Sequence, residues 1–125
     1  MPRQAMREPD ACGFIQLQSK RIAEAEQHLS RAARAYEQIG DRGGFAWVRH
    51  MTGKVLRCKG KLPEALAAHA EARTIFQSID LAAGEMASIV EMAGLQTARG
   101  NDELALALFD QATDLTKAPG LHENV

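Results

Sequence analysis

Aromatic residues and cysteines are scarce in this sequence, and each shortage excludes a class of structure. Aromatic residues make up 5% of the 125 residues, whereas alanine is abundant. This composition suits close packing between helices better than sheets built from bulky and β-branched side chains. Cys12 and Cys58 lack metal-site spacing, and one bridge would be a poor framework for a chain of this length, so we expect reduced thiols. The composition favours an all-α protein.

The sequence also lacks a large excess of charge and any long apolar run. The formal net charge is -1, which argues against a protein held to nucleic acid mainly by phosphate contacts and against a polybasic membrane anchor. No apolar stretch of signal-peptide length opens the sequence, and no later run approaches the roughly 18 apolar residues of a membrane span. We therefore expect a cytoplasmic protein with no membrane partner and no direct nucleic-acid partner.

Charge is nevertheless distributed unevenly along the chain. Between residues 41 and 61, six basic residues outnumber one acidic residue, a local balance of +5. Between residues 80 and 114, seven acidic residues outnumber one basic residue, a local balance of -6. The middle of the chain is therefore basic and the C-terminal part is acidic.

An internal repeat of 40 residues organises the sequence. Larger apolar residues keep this offset, for example Tyr36 with Phe76 and Ile39 with Ile79. Small residues keep it in five columns: Ala25, Ala65 and Ala105; Ala32, Ala72 and Ala112; Gly13, Gly53 and Ala93; Gly44 and Gly84; Gly60 and Gly100. Because the apolar residues of a unit fall on one stripe of a 3.6-residue period, the repeated elements are predicted to be helices.

Glycine, proline and asparagine mark the ends of these helices. Gly60 is suited to end one helix in a left-handed conformation, and Pro63 suits the first turn of the next. Gly100 provides the corresponding stop, and the side-chain oxygen of Asn101 can cap the helix that follows. The predicted helices span about 5–18, 21–39, 43–58, 62–79, 82–98 and 102–117, which make three antiparallel pairs.

The spacing of small and large residues within each unit resembles the tetratricopeptide repeat. That family has a small residue in its first helix, followed in the second by an alanine, a large apolar residue and another alanine. The matching positions are Gly13, Ala25, Leu29 and Ala32; Gly53, Ala65, His69 and Ala72; and Ala93, Ala105, Phe109 and Ala112. His69 departs from the apolar type, and its expected role is packing.

The unit is longer than the family's usual length of about 34 residues. In this respect it resembles the repeats of large ATP-dependent bacterial transcriptional activators and of Leu-Gly-Asn-type adaptors. The resemblance implies one domain, 1–125, folded as a short right-handed superhelix of three units and six helices. The units would span about 1–40, 41–80 and 81–120, with a flexible tail at 118–125.

The resemblance also implies a binding surface, because family members bind extended peptides on a concave wall lined by the first helix of each pair. The implied site residues are Phe14, Leu17, Trp47, His50, Lys54, Arg57 and Thr97. His50, Lys54 and Arg57 share one helical face and can meet a carboxylate or an acidic peptide together. Two alternatives stay open: the charged residues form an ordinary solvated surface, and the aromatic residues pack between units.

Nothing in the sequence favours catalysis, a metal or another cofactor. The four histidines lie on different predicted elements, and Gly40 to Gly44 lacks the strand that precedes a phosphate-binding loop. His50 and Cys58 are about 12 Å apart along a helix, which is too far for a nucleophile and its base. We therefore expect a non-catalytic protein-binding module, of a bacterial signalling or transcription-regulatory system by resemblance. The alternatives are a module that self-associates through exposed repeat ends and a sensor of small ligands.

Overall fold

The computed structural model describes residues 19–117, and within them the chain forms five α-helices and no strand. The helices are α1 (Ser19–Ile39), α2 (Arg42–Cys58), α3 (Leu62–Ser78), α4 (Ala82–Ala98) and α5 (Asp102–Leu115). The all-α prediction is confirmed, and the five predicted helices within this range agree to within two residues at each end. The helix predicted at 5–18 lies outside the described residues, so five helices are seen where six were predicted.

Four turns of one geometry separate the helices. A residue with positive φ occurs every 20 positions: Gly40 at 75°, Gly60 at 78°, Asp80 at 57° and Gly100 at 83°. After α2, for example, the Lys61 N–H donates to the Leu56 carbonyl at 2.9 Å, and the Gly60 N–H donates to the Arg57 carbonyl at the same distance. These two bonds satisfy carbonyls that a helix end otherwise leaves without a partner. The prediction for Gly60 is confirmed.

Close approach between neighbouring helices explains the columns of small residues. Each helix packs against the next one in the chain, and α2 also contacts α4. An aromatic ring lies directly on each of three helical glycines, with Tyr36 on Gly44, His69 on Gly53 and Phe76 on Gly84. A Cβ atom at Gly53 would lie 2.5 Å from the His69 ring, so even alanine would not fit there without movement. Small residues with a ring inserted against them thus form part of the core, and buried aliphatic residues such as Ile89, Leu95 and Leu108 form the rest.

Two sequence predictions about individual side chains are wrong. Asn101 does not cap α5 with its oxygen; its side-chain amide instead donates to Gln96 Oε1 at 2.8 Å, tying the turn to the end of α4. Cys58 is buried and disulfide-bonded, which overturns the expectation of a reduced thiol at this position. The other cysteine, Cys12, lies outside the described residues.

The sequence predicts no helix that spans a membrane. Across residues 19–117, no helix combines the length and the apolar character that a membrane span requires.

Candidate functional site

The surface where α2 meets α4 contains most of the predicted site residues that the structure describes. Arg57 Nη1 lies 3.9 Å from Glu91 Oε1, and His50 Nδ1 lies 3.4 Å from Ser88 Oγ. These two contacts connect the facing sides of the helices. We call the exposed surface beside them the α2–α4 face, which comprises Trp47, Met51, Lys54, Arg57, Val90, Glu91, Gly94 and Thr97.

Large apolar side chains are exposed on the α2–α4 face. Trp47 is 41% exposed, Met51 46% and Val90 42%. The Trp47 ring contacts the buried Phe76 edge-on, with 4.9 Å between ring centroids, so one part of the indole anchors to the core while the rest faces solvent. Met51 was not predicted from the sequence. Its position one helical turn after Trp47 and three residues before Lys54 would have indicated it.

The three basic side chains that the sequence placed on one side of α2 differ in their exposure and in their ion pairing. Lys54 is exposed and makes no ion pair with another described residue. Arg57 is partly exposed and pairs with Glu91, a neighbour that sequence reasoning missed. His50 is only 4% exposed. A carboxylate approaching from solvent therefore meets Lys54 and Arg57.

Among the described residues, the remaining predicted site residue adds little hydrogen-bonding capacity to the face. Thr97 is exposed, but its hydroxyl donates to the Ala93 carbonyl of the same helix at 3.1 Å. Phe14 and Leu17 lie outside the described residues, so their predicted role stays a prediction.

Behind the face, two buried imidazole rings pack against each other between α2 and α3. The His50 and His69 ring centroids are 4.8 Å apart, and neither ring nitrogen of His69 has a hydrogen-bond partner within residues 19–117. Burial lowers the pKa of His69 to about 4, and repulsion from a protonated His50 and from Lys54 and Arg57 acts in the same direction. Burial also lowers the pKa of His50, while Glu91 opposes this shift. Both rings are therefore neutral at pH 7 and serve as packing groups.

This arrangement does not resemble a catalytic or metal centre. Ser88 beside His50 is fully buried, so its hydroxyl has no access to a substrate. Among residues 19–117, no group of three or more histidine, cysteine or acidic side chains is placed to hold a metal ion.

Two further surface features lie away from the α2–α4 face. A cleft of about 250 Å³ at the junction of α1 and α2 is lined partly by Tyr36 and Phe45. On α5, Leu104, Leu106 and Phe109 are exposed. Self-association through such an exposed end stays a prediction.

Comparison with known families agrees with the packing pattern. Over residues 12–78, more than half of the chain, the sequence matches the family model described as tetratricopeptide repeat. The chain belongs to the tetratricopeptide repeat family. The predicted membership of this family is thereby confirmed. The match does not test the 40-residue length of the repeat unit.

Tetratricopeptide repeats generally mediate protein–protein interactions and are generally non-catalytic scaffolds. The tetratricopeptide match ends at Ser78, the last residue of α3, and α4 and α5 continue the helical stack beyond it. Searches of curated proteins and of solved structures gave no match.

Proposed function

We propose that this tetratricopeptide repeat chain is a non-catalytic module that binds an extended acidic peptide segment of a partner protein on the α2–α4 face. The observation that carries the proposal is the exposure of Trp47, Met51 and Val90 beside two cations, Lys54 and Arg57. Large apolar side chains left exposed on one surface are typical of protein-binding sites, and tryptophan is enriched among the residues that contribute most to affinity.

The charge of α2 supports an acidic ligand. This helix contains Arg42, Arg49, Lys54 and Arg57 and no acidic residue. Arg49 is paired with Glu71 on α3, so it is already partly neutralised. Lys54 and Arg57, which lie one turn apart on the face, remain to meet a carboxylate, and arginine can do so through two parallel hydrogen bonds. The apolar side chains would supply contact area, and the cations would select among ligands.

We also assign the repeat unit as 40 residues, with units at about 1–40, 41–80 and 81–120 in one domain. This assignment is supported by the starts of α2 and α4, Arg42 and Ala82, and by the positive-φ turns at every twentieth residue. The two helices are then the first helices of successive units, and the α2–α4 face belongs to the concave wall of a right-handed superhelix. A cytoplasmic location and a role in bacterial signalling or transcription regulation stay predictions.

The proposal is tested by selecting ligands from a displayed library of random linear peptides. The purified chain is expected to enrich peptides that combine aspartate or glutamate with large apolar residues. Replacing both Lys54 and Arg57 with alanine should weaken binding of those peptides by at least about tenfold, because each lost charge-assisted hydrogen bond removes on the order of 1.5–3 kcal/mol. Fluorescence anisotropy measures the affinities, and circular dichroism should show unchanged helix content.

A charge-matched variant provides the control. Arg34 and Lys61 are exposed cations outside the α2–α4 face, on α1 and at the start of α3, so their double replacement with alanine removes the same net charge. This variant is expected to bind as the unaltered chain does. Equal weakening in both double variants would mean that overall charge, and not the face, determines binding; unchanged binding in the Lys54 and Arg57 variant would exclude the proposed site.

A further inference from the structure

Gly94 lies within α4 on the α2–α4 face, and packing among residues 19–117 does not require a glycine there. A Cβ atom at this position would meet one described atom within 4 Å, Nη1 of Arg57 at 3.6 Å, which is ordinary van der Waals contact. By contrast, Cβ atoms at Gly53 and Gly84 would collide with the rings of His69 and Phe76. Since glycine destabilises a helix interior relative to alanine, Gly94 lowers helix stability without a compensating contact from the described part of the chain.

The side chain opposite Gly94 is suited to hold an anion. The Arg57 guanidinium lies over the bare backbone of Gly94 and is held from one side by Glu91, whose carboxylate oxygen is 3.9 Å away. This distance is too long for the close bidentate pair that an arginine forms with a well-placed carboxylate. The side chain of Arg57 remains 35% exposed, so a second carboxylate can reach it from solvent. Lys54 lies one turn earlier on the same helix and adds a second positive charge.

We propose that Gly94 keeps open a carboxylate subsite, in which Arg57 and Lys54 bind an aspartate or glutamate side chain of the peptide. The missing methyl group at Gly94 leaves room beside the guanidinium for the incoming carboxylate and lets the peptide backbone pass close to α4. Glu91 orients Arg57 and competes weakly with the ligand. This inference rests on the proposed peptide-binding function and assigns its ligand specificity to one position.

Replacing Gly94 with alanine tests the subsite, because its effects on stability and binding should have opposite signs. The variant should melt at the same temperature as the unaltered chain or higher, since alanine is the better helix former and its methyl group fits. Its affinity for the acidic peptides enriched from the random library should fall roughly tenfold. The same peptides with asparagine and glutamine in place of the acidic residues should bind both proteins weakly and equally.

Gly43→Ala is the matched control. Gly43 also lies in a helix, and a Cβ atom there would also meet its nearest neighbours, Asp41 Oδ1 and Ile79 Cδ1, at 3.6 Å. The position is in the first turn of α2, about three helical turns before Lys54. Binding of the acidic peptides should therefore be unchanged in this variant, which shows that a new helical methyl group alone does not weaken the ligand.

Each other outcome overturns a different statement. Equal peptide affinity in Gly94→Ala and the unaltered chain would refute the subsite and leave the peptide-binding function standing. A lower melting temperature in this variant would show that packing requires the glycine, so the presence of Gly94 would no longer point to a ligand subsite. If amidating the peptide C-terminus abolishes binding, the carboxylate recognised is the terminal one, against the side-chain assignment. If the unaltered chain enriches no peptide, the proposed function fails and the subsite with it.

Discussion

Replacing Phe76 with alanine is expected to lower the free energy of unfolding by about 3–5 kcal/mol, the usual loss for a fully buried phenylalanine. Phe76 is 0% exposed and is packed in one cluster with Ala46 and Ala72. Its ring lies on the backbone of Gly84, so a single side chain fills the space between α2, α3 and α4. The buried neighbours Ala46 and Ala72 are too small to refill the space. Urea unfolding followed by circular dichroism at pH 7.5 measures the loss.

Phe109→Ala is the control for this prediction. Phe109 lies on α5 and is 40% exposed, so its truncation removes less buried surface and leaves no enclosed cavity. Its loss is expected to be below about 2 kcal/mol. Similar losses in the two variants would contradict the assignment of Phe76 as the ring that joins three helices. Each kcal/mol shifts the melting temperature by roughly 2–8 °C for domains between 60 and 250 residues, so the two variants should also be separated in melting temperature.

Acidification is expected to destabilise the fold through His69 by about 3 kcal/mol between pH 6.5 and pH 4. The unfolded chain binds a proton at this imidazole near the ordinary pKa of 6.5, whereas burial lowers the pKa in the folded chain to about 4. Between these values the unfolded state holds more protons, so stability rises with pH. The contribution is fully present above pH 6.5 and is lost as the pH falls toward 4.

Urea unfolding at a series of pH values, compared with His69→Leu, isolates this effect. Leucine is the apolar type that the repeat pattern expects at this position, and it does not titrate. The charged and titratable groups acting on His69 are His50, Lys54 and Arg57, and they remain in the variant. The loss of stability in acid should therefore be smaller by about 3 kcal/mol in His69→Leu. An identical pH dependence in the two proteins would show that His69 is not the responsible group.

Helix positions could be predicted from the sequence because their determinants are local. Gly60 ends α2 with a left-handed residue and Pro63 lies in the first turn of α3, both as the sequence indicated. Asn101 shows where local rules fail. Asparagine is a favoured capping residue, but here its side-chain N–H donates to Gln96 Oε1 on the preceding helix, and its oxygen caps no N–H group of α5. The same residue type can satisfy either end of a turn, and only the folded geometry decides between them.

The candidate site was predicted less completely because it depends on contacts between helices. Periodicity placed Lys54 and Arg57 on one face, yet it could not show that Glu91, on α4, approaches Arg57. The burial of His50 was likewise hidden, since its ring is contacted by Ser88 and His69 on two other helices. A helical period assigns a residue to a side of its own helix. Whether that side is covered depends on how the next pair packs.

Trp47 allows the most direct test of the central claim, because it is the single tryptophan of the chain and lies exposed on the α2–α4 face. Titrating an enriched acidic peptide that lacks tryptophan while recording tryptophan emission reports binding at this surface alone. The account predicts a shift of the emission to shorter wavelength, as the peptide covers the indole, with the same dissociation constant as anisotropy gives. An emission spectrum that stays unchanged while the peptide binds would contradict it.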